Sequence, residues 1–133
     1  MPPLITALYG ALNALFNIFL ANQVSTLRRR HGIGLGQGGD EQREMLVAIR
    51  AHGNNAEFVP LAIVMMLLGE LCGARGWALH VYGGALLFAR IAHWLGLAKK
   101  APNPLRVGGT ALTWAAIVAM SGYLLYLRFD LVN

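Results

Sequence analysis

Arg50-Ala51-His52-Gly53-Asn54-Asn55-Ala56-Glu57-Phe58-Val59-Pro60 leads into Leu61 to Leu71, an apolar run whose single charge is Glu70. These two stretches together decide the fold. The spacing i, i+4, i+7 of Arg50, Asn54 and Glu57 aligns them on one face of a helix with 3.6 residues per turn. A cation, an amide and a carboxylate on a helix entering a membrane are costly, so they mark function.

The chain as a whole agrees with a membrane setting. Of its 133 residues, 56% are apolar and 13% are charged, about half the usual charged share. Mean hydropathy is +0.52. One integral membrane domain over 1–133 is expected. Met1-Pro2-Pro3 lacks the basic start of a cleavable signal, so the first apolar segment reads as a retained helix. The single Cys72 excludes an intrachain disulfide or a CxxC site and reads as a small apolar filler. His80 has no second ligand at metal spacing, and no metal is expected. A net charge of +5 fits anionic lipid headgroups rather than nucleic acid.

Four helices are expected, because a spanning segment must satisfy its own backbone hydrogen bonds. The first covers 4–27, with Asn13 and Asn17 one turn apart and facing other helices. Arg28-Arg29-Arg30-His31 closes it, and a loop with five glycines follows from Gly32 to Asp40. The second covers 41–71, opening with Asp40 as N-cap and with Glu41 and Glu44 against the positive end of the dipole. Pro60 inside it is expected to kink the helix or free a carbonyl. The third covers 77–97 and carries His80, Arg90 and His93. Lys99 to Pro104 holds two prolines and breaks the chain before the fourth helix at 105–127. Trp77, Trp94 and Trp114 read as interface anchors or core, His80 as a core or interface residue, and Glu70 as solvated at the far interface. Gly69 and Gly73 form a GxxxG at a helix end, where it carries little weight.

Cations set the orientation. Arg28, Arg29, Arg30 and Arg43 flank the first connection, Lys99, Lys100 and Arg106 the third, and only Arg75 the second. The first and third loops are therefore expected to face the cytoplasm. Arg50, Asn54, Glu57, Arg90, His93 and Arg106 then converge on one leaflet. Two readings of that convergence stand open. Glu57 pairs with Arg50 or Arg90 to hold the bundle together, or the set forms a cationic pocket for an anionic ligand. The cations outnumber the one carboxylate on that face, which favours the pocket.

These residues also resemble a family. Arg50-x-x-x-Asn54-x-x-Glu57, with Phe58 and Pro60 beyond, matches the second-helix pattern of the membrane-associated proteins in eicosanoid and glutathione metabolism (MAPEG). Leu87-Phe88-Ala89-Arg90 followed by His93 is similar to the third-helix motif of its leukotriene and prostaglandin synthases. Pro104-Leu105-Arg106-Val107 is similar to the segment that opens their fourth helix. The resemblance implies an all-α four-helix protomer in a homotrimer, with glutathione as co-substrate bound between protomers. It implies glutathione contacts from Arg28 or Arg29, Arg50, His52, Asn54, Glu57, Arg90 and His93, and a catalytic Arg106 beside the sulfur. Phe58 and Leu97 stand where relatives carry tyrosine, so two hydroxyls are absent.

The activity implied is a membrane-bound glutathione-dependent transferase or peroxidase acting on a lipophilic small molecule. A thiol of pKa about 8.5 is mostly protonated at neutral pH, and a fixed guanidinium favours its anion without moving a proton of its own. Two alternatives accompany that reading. One is a non-catalytic lipid- or thiol-binding scaffold of the same fold. The other is a small proton-coupled multidrug transporter, which would want an uncompensated carboxylate where Glu57 stands among cations. The compact chain resembles a bacterial member of the inner membrane.

Overall fold

Helices α1 (Leu4–His31), α2 (Arg43–Leu71), α3 (Gly76–Leu97) and α4 (Pro104–Asp130) run up and down in turn. They are seen in a computed structural model that describes residues 2–39, 43–100 and 102–130. Their 28, 29, 22 and 27 residues extend about 42, 43, 33 and 40 Å, each enough to cross roughly 30 Å of hydrocarbon. α1, α2 and α4 are also apolar enough to span a membrane. α3 carries Tyr82, Arg90 and His93, and it turns all three inward, where they are buried. Leu15, Ile18, Val64, Phe88 and Val118 lie exposed on the outside of the bundle. Apolar residues outside and polar ones within is the arrangement lipid requires.

α1 packs on α2 and α3, and α4 packs on α3 and α2, without contact between α1 and α4 among the described residues. Ala62, Met66, Leu79, Leu86 and Met120 fill the core toward one end. Leu20, Ala51 and Leu97 form a smaller cluster toward the other, with Phe16 and Trp94 against it.

α1 runs through Arg28-Arg29-Arg30-His31, four residues past the expected end at Leu27. Gly32 stops it in the left-handed region at φ 65, donating its N–H to the Arg28 carbonyl. Four basic side chains in the last turn complement the helix dipole there. α4 opens with Pro104 in its first turn, where a missing N–H costs nothing, while Asn103 Oδ1 accepts the Leu105 N–H at 3.0 Å. It continues past Leu127 to Asp130. The expected N-cap Asp40 and its neighbour Glu41 lie outside the described residues, and α2 is described from Arg43.

Several expectations change. Glu70 is not simply solvated: its carboxylate accepts the backbone N–H of Ile5 at 2.9 Å and of Thr6 at 2.7 Å. A side chain ending α2 thus satisfies two of the orphan donors that begin α1. Pro60 lies within α2, which runs unbroken from Arg43 to Leu71, and of the two expected effects it frees a carbonyl, that of Ala56. The hydroxyl of Tyr82 donates to the Ala62 carbonyl at 3.0 Å, not to the Ala56 carbonyl that the proline deprives. Asn17 faces α2 as expected and accepts from Asn55 Nδ2 at 3.0 Å, whereas Asn13 donates to Tyr9 of its own helix at 2.8 Å. Cys72 is exposed rather than a filler. His80 is exposed too, but meets α1 through Tyr9, Nδ1 to hydroxyl, at 3.3 Å. Trp94 donates to Gln23 at 3.2 Å and packs on Phe19 edge to face, while Trp77 and Trp114 are exposed.

Candidate functional site

The first turns of α4 are bound to the last turns of α3. His93 Nδ1 lies 3.3 Å from the Arg106 carbonyl oxygen and 3.0 Å from Thr110 Oγ1, and Thr110 donates to the same carbonyl at 3.0 Å. The carbonyl can only accept, so Nδ1 carries a ring hydrogen and donates it. Two glycines allow helices to meet this closely. A Cβ on Gly109 would fall 2.6 Å from the Ala89 oxygen, and one on Gly96 2.7 Å from the Arg106 Cα. The backbone of Arg106 is therefore held against α3 while its side chain stays exposed.

α2 contributes the facing wall. Arg50, Asn54 and Glu57 line, with His93, Leu97 and Arg106, a cleft of about 290 Å³. Residues separated by more than fifty positions in the chain thus share one opening. The ion-pair reading does not survive. Among the described residues, the salt bridge that forms is His31 with Glu44, at 2.6 Å; Arg50, Glu57 and Arg106 form none with one another. Their charges face the cleft unspent.

Arg90 stands behind this wall. It is 2% exposed; its Nη2 donates to Asn54 Oδ1 at 2.7 Å and its Nη1 to Thr113 Oγ1 at 3.4 Å. Nε has no acceptor. A buried guanidinium without a carboxylate is expensive, and here it occupies the oxygen of the Asn54 amide. The NH₂ end of Asn54 is left for the cleft. The cleft thus offers donors from Arg50, Arg106 and Asn54, and an acceptor carboxylate from Glu57.

Besides Arg90, three expected residues do not line this cleft within one protomer. Arg28 donates to the Gly34 carbonyl at 3.1 Å and Arg29 to Thr26 Oγ1 at 3.3 Å, both at the end of α1, which does not touch α4. His52 is half-buried on α2 outside the cleft walls. A larger cavity of about 500 Å³ opens between α1, α2 and α3. Its walls are mostly apolar and its Glu44 is engaged by His31, so the smaller, polar cleft is the better candidate.

Thr110, Thr113, Gly96 and Gly109 support the site without having been expected from the sequence. The one-turn spacing of Thr110 from Arg106 is a signal for the first. The glycines carry none, because their role depends on which backbone crosses them.

The chain is similar to known proteins along nearly its whole length. A family model described as MAPEG family matches residues 6–126. The inner membrane protein YecN of Escherichia coli (strain K12) is 37% identical over 130 residues, covering 97% of this chain and 97% of its own length. YecN of Escherichia coli O6:H1 matches to the same extent.

Proposed function

This chain belongs to the MAPEG family, and on that premise we propose that its cleft binds glutathione and holds the thiol as its anion for reaction with a lipophilic electrophile. One observation carries the proposal: Arg50, Asn54, Glu57, His93 and Arg106 line a single cleft with no ion pair among them. Glutathione has two carboxylates, an ammonium and a thiol. Arg50 suits a carboxylate through its planar fork, Glu57 the ammonium, and the Asn54 NH₂ a carboxylate or peptide oxygen. Arg90 acts behind them by fixing the Asn54 amide.

Bound glutathione supplies the nucleophilic sulfur. Arg106 sits on the first turn of α4, braced by His93 and Thr110, and stabilises negative charge beside it. Lowering a thiol pKa by two units corresponds to roughly 2.7 kcal/mol. Arg106 takes no proton, which leaves to solvent. The reaction class is transfer to a lipophilic electrophile or reduction of a lipophilic peroxide, with the second substrate entering from the bilayer.

The protomers assemble as a homotrimer in this reading, and Arg28, Arg29 and His52 reach glutathione from a neighbouring protomer. A cleft of about 290 Å³ is at the lower limit of small-molecule sites, which supports completion by a neighbour. The chain lies in the inner membrane, as YecN is named to do. Its first and third loops face the cytoplasm, as the clustered cations favour. Calorimetric titration of the purified protein with glutathione tests the site. We expect millimolar or tighter binding, weakened about tenfold by Arg50→Met through loss of a charged hydrogen bond. A chain that binds no glutathione at millimolar concentration contradicts the proposal.

A further inference from the structure

On the side of α2 away from Arg90, a groove of about 390 Å³ runs between α1 and α2. Its outer walls are small or apolar, including Ala14, Val59 and Ile63, but three asparagines, Asn13, Asn17 and Asn55, line it as well. Asn13 lies about 14 Å along α1 and Asn55 about 18 Å along α2, so the amides sit deep within the spans. Nothing in the glutathione reading uses them.

The hydrogen bonds of this groove do not close. Asn13 and Asn55 are each 1% exposed, and the side-chain oxygen of each has no donor. Asn13 spends its NH₂ on the Tyr9 carbonyl, which identifies the oxygen as the unmet end. Asn17 serves one end of the Asn55 amide and leaves the other. The Ala56 carbonyl, in the same groove, loses its ordinary i+4 donor because residue 60 is proline. Unmet acceptors in an apolar setting are costly, and the amide hydrogen bond that joins these helices, Asn55 to Asn17, satisfies neither of them. Acceptors without donors, buried at the floor of a groove with small and apolar walls, specify the missing molecule: an apolar body carrying O–H that reaches them as the groove opens.

We propose that the α1–α2 groove is a second ligand site, taking a lipophilic alcohol or phenol whose hydroxyl donates to Asn13 or Asn55 while its hydrocarbon lies along the groove. The site is independent of the glutathione cleft. It stands whether or not that cleft binds a thiol.

Binding of nonylphenol and of its methyl ether to the purified protein, followed by native mass spectrometry, provides the test. The two probes share a hydrocarbon and differ in the donor. The phenol is expected to bind at least about tenfold more tightly, the equivalent of one hydrogen bond in an apolar site. Asn13→Leu and Asn55→Leu should each bring the phenol toward the ether's affinity. Ala14→Phe fills the groove while keeping every amide, so it should abolish binding of both, and it serves where an asparagine variant does not fold. Equal affinity for phenol and ether, or retention of phenol binding by Ala14→Phe, overturns the proposal. In a Cys72→Ser background, Ala14→Cys should react with a lipid-soluble maleimide and be protected by the phenol. A cysteine there that is unreactive without ligand means a second copy of the chain covers the groove, and that also overturns it.

Discussion

Alanine at Gly108 and alanine at Gly109 are expected to act in opposite directions. Both glycines lie inside α4, where alanine is favoured over glycine by about 1 kcal/mol. A Cβ on Gly108 meets nothing within 4 Å, so that gain stands alone. A Cβ on Gly109 would lie 2.6 Å from the Ala89 oxygen and 2.6 Å from the His93 nitrogen, both backbone atoms, where ordinary contact begins at 3.4 Å. No side chain can rotate to relieve it, and α4 must withdraw by roughly 0.8 Å. Overpacking of this kind costs about 1–3 kcal/mol. The same movement lengthens the 3.3 Å approach of His93 to the Arg106 carbonyl beyond hydrogen bonding, for about 1 kcal/mol more. Set against the helix gain, Gly109→Ala should lose about 1–3 kcal/mol. Thermal melting in detergent, followed by circular dichroism, reads the difference. Gly108→Ala should raise Tm by about 3–5 °C and Gly109→Ala lower it by about 3–15 °C. If Gly109→Ala is as stable as the parent, α3 and α4 do not cross as described, and Arg106 is not held where the cleft requires it.

Arg90→Met should leave stability unchanged or raised, because it replaces an uncompensated buried charge, while glutathione affinity falls about tenfold as Asn54 loses its anchor; titration and melting on one preparation separate the two effects. Glu70→Ala should lower stability by about 1–2 kcal/mol through the uncapped start of α1, visible as a lower Tm with glutathione binding retained, since Glu70 lies at the opposite end of the bundle. Glu44→Gln removes the exposed pair with His31 and should change stability by less than about 1 kcal/mol, again read by melting.

The residues that could be read directly were those whose partners are close in sequence. Arg50, Asn54 and Glu57 share a face because of helical spacing alone, and the four apolar segments announce themselves by length. Cation placement also puts Arg106 and His93 at the same end as the cassette without reference to any contact. What stayed hidden depends on contacts between helices. Glu70 reaches Ile5 and Thr6 across 65 and 64 positions, so a carboxylate near a helix end looks merely solvated until α1 is placed beside it. Arg90 reads as a cation facing the pocket, and its burial against Asn54 and Thr113 emerges only once α2 and α4 are placed beside α3. Gly96 and Gly109 have no local signature, since neither sits in a turn. The end of α1 lies beyond Leu27 for a simpler reason: basic residues close an apolar span, but they do not close a helix, and Gly32 does.

The most direct test of the central claim is the ultraviolet thiolate absorbance of glutathione bound to the parent protein and to Arg106→Leu at neutral pH. A thiolate signal is expected in the parent and its disappearance in Arg106→Leu, with glutathione still bound through Arg50, Asn54 and Glu57. A thiolate signal that persists in Arg106→Leu, or bound glutathione that shows none in the parent, contradicts that claim.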